Sequence, residues 1–109
     1  MTKLIIGMGI PGSGKSTTLK KFAEDYGYNY ICPDDIREEM LGDAADQSKN
    51  QEVWDEARKK MQEFFKRGKT VVFDAVFNNA KRRKEFIDYA KATGVEIKRW
   101  EAGIEKKFM

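Results

Sequence analysis

Eight residues near the N-terminus, Gly9-Ile10-Pro11-Gly12-Ser13-Gly14-Lys15-Ser16, fit the pattern G-x-x-x-x-G-K-S/T. The pattern serves one kind of chemistry, the wrapping of a polyphosphate by backbone N–H groups. Glycines at this spacing permit positive φ and close approach of the backbone to the anion. A helix starting at the end of the loop aims the positive end of its dipole at the same place. In this reading Gly12, Ser13 and Gly14 cradle the phosphates, Lys15 reaches the β- and γ-phosphates, and the Ser16 hydroxyl ligates Mg²⁺. Thr17 adds a contact to the α-phosphate. The ligand predicted is a nucleoside triphosphate, ATP with Mg²⁺. The bland alternative is a glycine-rich turn, and an apolar strand before the loop with a helix after it argues against that.

A second set of residues could act on such a ligand. Pro33-Asp34-Asp35-Ile36-Arg37-Glu38 offers a carboxylate that could take a proton from an attacking hydroxyl. Arg37 follows Asp34 by about one helical turn, so it can orient that carboxylate or clasp an acceptor phosphate. The competing reading is structural, with Asp34 and Asp35 capping a helix and Arg37 pairing with a neighbour. Asp74 ends an apolar strand, where an acidic residue can hold Mg²⁺ or its water. Lys81-Arg82-Arg83-Lys84 puts four cations at the start of a helix, against the dipole, which suits an anionic partner as well as a solvated helix start. There is no histidine, so a proton acceptor must be a carboxylate, lysine or tyrosine. One cysteine, Cys32, excludes an intrachain disulfide.

The elements that must position these groups are legible from periodicity and punctuation. The chain of 109 residues suffices for one small domain, residues 1–109. Strands are predicted at Lys3–Met8, Tyr28–Cys32, Thr70–Ala75 and Val95–Trp100. Helices are predicted at Lys15–Tyr26, from Pro33 to Leu41, at Lys49–Arg67 and at Ala80–Thr93. Pro33 suits a first helical position, Ser48 with Gln51 resembles a capping box, and Asn78-Asn79 suit the cap of the last helix. Gly27, Gly68 and Gly94 each stop a helix just before a strand. Alternation of this kind implies an α/β three-layer sandwich, a parallel sheet of about four strands in the order 2-3-1-4 with helices on both faces. Ligands of such sheets sit at the carboxyl ends of the strands. The glycine loop, Asp34-Asp35 and Asp74 all fall there.

Charge and hydropathy narrow the partners. Residues 1–57 hold 6 Lys/Arg against 11 Asp/Glu, whereas residues 58–109 hold 15 against 7. A basic second half suits a polyanion such as nucleic acid, and solvated helix faces are the plain alternative. No apolar run approaches the ~20 residues that span a membrane, and the first residues read as a strand rather than a signal peptide, so the cytoplasm is the compartment expected.

Taken together, Ile6–Thr17, Asp34-Asp35-Ile36-Arg37 and Val71–Ala75 with Lys81-Arg82-Arg83 resemble the kinase domain of bacteriophage polynucleotide 5′-hydroxyl kinase and related small P-loop kinases of the AAA_33 type. The likeness covers about residues 1–100, and the Asp-Asp-x-Arg element is its more specific part. The resemblance implies that Lys15, Ser16 and Thr17 handle phosphate and Mg²⁺. It implies that Asp34 is the general base, that Arg37 engages the acceptor's phosphate beside the attacked hydroxyl, and that Asp74 is the strand-end acid near the acceptor site. It implies phosphoryl transfer from ATP to a hydroxyl, the 5′ end of a single-stranded nucleic acid first among acceptors. A nucleoside or other small alcohol, a slow ATPase, or a nucleotide-binding module with little catalysis are the alternatives. The chain departs from the family in reading Asp74-Ala75-Val76-Phe77 where Asp-Ala/Thr-Thr-Asn is common. It also ends at Met109, so neither the family's arginine-bearing lid nor a fifth strand is expected; Arg82, Arg83 or another subunit would have to supply that charge. An open sheet edge of this kind would allow a homodimer.

Overall fold

Leu4, Ile5 and Ile6 of β1 (Lys3–Gly7) and Val71, Val72 and Phe73 of β3 (Val71–Phe73) are each no more than 1% exposed. Strands apolar on both faces belong at the centre of a parallel sheet covered by helices on either side, and there the computed structural model puts them. It describes residues 2–7, 15–43, 45–74, 80–101 and 104–107, with the backbone alone at residues 15, 16, 80, 82, 83, 101 and 104–107. The elements run β1, α1 (Lys15–Tyr26), β2 (Asn29–Ile31), α2 (Pro33–Leu41), α3 (Asn50–Lys66), β3, α4 (Ala80–Ala92), β4 (Glu96–Glu101) and β5 (Ile104–Lys107).

The sheet order is β2-β3-β1-β4-β5. The first four strands are parallel, as the helix-to-strand alternation requires, and Ile31, Phe73, Ile6 and Arg99 stand side by side across them. One expectation is corrected. A fifth strand is present, and it pairs antiparallel with β4, Lys98 opposite Lys107 and Glu101 opposite Ile104. Its charged, four-residue segment Ile104-Glu105-Lys106-Lys107 carries no apolar run to mark it as a strand in the sequence.

Helices lie on both faces. On one, α1 sets Leu19 and Ala23 against Ile5, Val72 and Trp100. On the other, Val53, Ala57 and Met61 of α3 meet Leu4, Ile6, Val71 and Phe73, together with Ile36 of α2 and Phe86 and Ala90 of α4. The edges of α1 follow the sequence: Gly27 takes φ 70, and the Tyr28 amide returns to the Ala23 carbonyl at 2.8 Å, which turns the helix directly into β2. The start of α3 differs from expectation. Lys49 precedes it with no side-chain cap, because the Ser48 amide donates to Asp46 Oδ1 at 2.9 Å and Gln51 donates to Asp55 instead. Asp46 thus folds the connection into an Asx turn that competes with the capping box.

Candidate active site

The carboxyl ends of β2, β3 and β1 form one row. Because Ile31, Phe73 and Ile6 are in register, Asp74 and Gly7 come next along their strands, and the Asp74 amide donates to the Ile31 carbonyl at 2.8 Å. Gly7 leads into residues 8–14 and then α1. The predicted phosphate-cradling residues Gly12, Ser13 and Gly14 lie outside the described residues, as do Asn78-Asn79. The backbone at Lys15 and Ser16 opens α1, and Thr17 is exposed in its first turn. Gly7 lets α1 pack closely on β1: a Cβ built there would stand 2.3 Å from Leu19 Cδ2, so a larger residue would force the Leu19 side chain to move.

Asp74 is 3% exposed, and the Tyr30 hydroxyl donates to its Oδ2 at 2.5 Å. Burial, and then this bond, push the Tyr30 phenol above its ordinary titration range. The phenol therefore stays a donor and fixes one face of the carboxylate. Cys32, beside them, is also pushed up by burial, and remains a neutral thiol. Among the described residues no cluster of three acidic, histidine or cysteine side chains could hold a metal. Carboxylate oxygen is a donor that Mg²⁺, a hard ion, takes alongside water and phosphate, so Asp74 has the chemistry to supply one ligand or to hold one of the ion's waters.

Asp34 and Arg37 come together as their spacing predicts. Cys32 precedes α2 without a side-chain cap and Pro33 starts it, so Asp34 and Asp35 occupy the first turn with their side chains exposed rather than capping. The Arg37 guanidinium, in a residue 5% exposed, donates from Nη1 to Asp34 Oδ1 at 2.6 Å. The Asp34 side chain itself is 70% exposed. From Nη2 the guanidinium donates to Asn50 Oδ1 at 3.0 Å, at the first residue of α3. Asn50 Nδ2 in turn donates to Gln47 Oε1 at 2.7 Å. A buried cation thus holds an exposed carboxylate at the rim of the strand row.

Sequence reasoning missed Tyr30 and Asn50. Tyr30 reads as one more aromatic of a short strand, and Asn50 as a polar residue in the first turn of a predicted helix; only the pairing of β2 with β3 and of α2 with α3 sets Tyr30 on Asp74 and Asn50 on Arg37. Of the basic cluster, Lys84 pairs with Asp88 on its own helix at 2.6 Å, and Lys81 is exposed. The side chains of Arg82 and Arg83 lie outside the described residues.

A family model described as AAA domain, AAA_33, matches residues 4–101. No curated protein matches the chain. Solved structures do. In the Pnkp1/Rnl/Hen1 RNA repair complex, a chain superposes with a TM-score of 0.77 at 23% identity, over 91% of this chain and 32% of that one. A second structure of the Pnkp1/Rnl/Hen1 complex gives 0.74 at 23% identity, over 91% and 34%. The APS kinase CysC of Mycobacterium tuberculosis gives 0.67 at 17% identity, over 90% of this chain and 73% of that one. The chain therefore spans about a third of the length of the Pnkp1-complex chains it matches. At these identities the likeness is one of fold, a P-loop kinase-type α/β sheet in the order 2-3-1-4.

Proposed function

The chain belongs to the AAA_33 family, and from that premise we propose that it transfers the γ-phosphoryl group of ATP to a hydroxyl, with the 5′-hydroxyl of a polynucleotide as the preferred acceptor. The observation that carries the reading is Asp34, an exposed carboxylate held at 2.6 Å by buried Arg37 on the edge where the glycine loop begins. In the reaction Asp34 accepts the hydroxyl proton while the hydroxyl oxygen bonds to the γ-phosphorus. The bond from that phosphorus to the bridging oxygen of ADP breaks, and ADP leaves. Arg37 keeps the carboxylate oriented and lies near enough to meet an anionic group beside the acceptor hydroxyl. Gly12, Ser13, Gly14, Lys15 and Thr17 bind and align the polyphosphate. Ser16 and Asp74 would hold Mg²⁺, whose contribution is to neutralise charge on the β- and γ-oxygens.

The RNA repair setting of the Pnkp1 neighbours and the basic second half support a polynucleotide acceptor. A small alcohol is the second reading, favoured by the share of the APS kinase chain that superposes. Incubation with γ-labelled ATP and, separately, a 5′-hydroxyl oligonucleotide, a nucleoside or water distinguishes these. Label is expected on the oligonucleotide, reduced about 10²-fold or more by Asp34→Asn and lost in Lys15→Ala. Tight ATP binding with no transfer to any acceptor would leave a nucleotide-binding module instead.

A further inference from the structure

Tyr30 lies on the face of the sheet that α1 covers. Val72 stands beside it in register, and both pack with Leu19 and Ala23 of that helix. Successive side chains of a strand point to opposite faces. Phe73 therefore points to the α3 side, where it meets Trp54, and Asp74 returns to the α1 side. The bond from the Tyr30 hydroxyl to Asp74 Oδ2 runs along that face, from β2 to the end of β3. The ring of Tyr30 is held by the helix as well, with Lys20 Nζ 6.0 Å from its centroid. Position 16 comes four residues before Lys20, one turn earlier on the same flank of α1. The fold thus sets side by side the backbone of Ser16, the Tyr30 ring and the Asp74 carboxylate. Asp34 and Arg37, on α2, belong to the opposite face.

Mg²⁺ demands a near-ideal octahedron, so a carboxylate that supplies a ligand, or holds one of the ion's waters, serves it in few orientations. A hydrogen bond that fixes the carboxylate beforehand supports the ion without touching it. A tyrosine hydroxyl suits this task, since it donates one bond and brings no positive charge of its own to a cation's site. We infer that Tyr30 is a positioning residue for Mg²⁺: its hydroxyl holds the Asp74 carboxylate in the orientation that the ion of the ATP complex uses. The inference rests on the reading of Asp74 as a contact of the ion or of its water. In this role Tyr30 acts through Asp74 alone.

Tyr30→Phe removes the hydroxyl and keeps the ring. The full chain is titrated by calorimetry with the β,γ-imido analogue of ATP, once in magnesium chloride and once in EDTA, at a temperature where circular dichroism shows every variant folded. In Tyr30→Phe the affinity in Mg²⁺ is expected to fall about tenfold, and the affinity in EDTA to stay within about twofold of wild type. Tyr28→Phe, which removes a hydroxyl two residues earlier on the same face, is expected to change neither. Asp74→Asn is expected to remove most of the Mg²⁺ effect, and Tyr30→Phe added to it to remove no more. That comparison serves alone if the single Tyr30 variant does not fold. Equal losses in Mg²⁺ and EDTA, no loss in either, an equal Mg²⁺-specific loss in Tyr28→Phe, or a further loss in the double variant would overturn the inference and leave the proposed reaction standing. If Mg²⁺ does not strengthen binding in wild type, or if Asp74→Asn keeps the whole effect, the reading of Asp74 as a metal contact fails and the inference with it.

Discussion

Tyr30 shows how a residue of unremarkable type acquires a role from its partner. Its hydroxyl supplies a donor to Asp74, a carboxylate buried at the end of an apolar strand. Tyr30→Phe removes that donor and keeps the ring against Ile5 and Val72, so the loss should be about 1–3 kcal/mol, read as a lower urea midpoint with an unchanged slope. The pH dependence has a definite sign. The folded phenol titrates above its ordinary 10.0, so its contribution is whole below that pH and is lost as pH rises beyond it. Wild type should therefore lose stability more steeply than Tyr30→Phe on the alkaline side. Parallel alkaline limbs for the two proteins would refute the coupling. Neither effect could be read from Tyr28-Asn29-Tyr30 in the sequence, because Asp74 lies far along the chain and meets Tyr30 only through the pairing of β2 with β3. Asp34 with Arg37 was legible, since helical spacing alone brings them together.

Among the elements, α1 and α3 do opposite work. α1 packs on β1 through the contact of Leu19 with Gly7. Gly7→Ala would overpack that contact at a cost of about 1–3 kcal/mol, and the buried Leu19 side chain, or the helix that carries it, would have to shift. The expected result is a lower thermal midpoint together with weaker ATP binding; full ATP affinity in a destabilised variant would show that helix height does not matter to the site. α3 supplies bulk. Met61 is fully buried against the sheet, and Met61→Ala should cost about 2–5 kcal/mol in chemical denaturation. The helix periods and glycine stops in the sequence marked both elements to within a few residues. The false capping box at Ser48 shows the limit of local signals, for Asp46 captured the amide first.

For the whole molecule, the strand alternation fixed a parallel sheet, and the helices divided between its two faces as required to cover it. The edge was different. β5 pairs with β4 and becomes the outer strand, with three charged residues in four. Charged edges resist pairing with another chain, so sedimentation equilibrium should find a monomer at tens of micromolar; a concentration-dependent dimer would show that the edge is open after all. The basic second half is also less bare than its composition suggests. Lys84 and Lys98 each stand beside a carboxylate from the same half of the chain, Asp88 and Glu96, and Arg58 stands beside Asp55 of the acidic first half. Among the described residues no helix is long and apolar enough to cross a membrane.

The sequence by itself determined the phosphate loop pattern, the helices and strands around it, the parallel order 2-3-1-4 and the Asp34–Arg37 pair. These depend on local backbone preference, on hydrophobic periodicity and on the few ways alternating elements can cover a sheet. Only the tertiary structure decided what holds those groups in place: Tyr30 on Asp74, Asn50 on Arg37, Leu19 against Gly7 and β5 along β4. Each joins residues distant in sequence or rests on the packing of one element upon another. A bond of that kind leaves no spacing to read. The loop at Gly9–Ser16 could thus be recognised from its residues alone, whereas the support around the Asp34 and Asp74 carboxylates became visible only when the strands and helices were set beside one another.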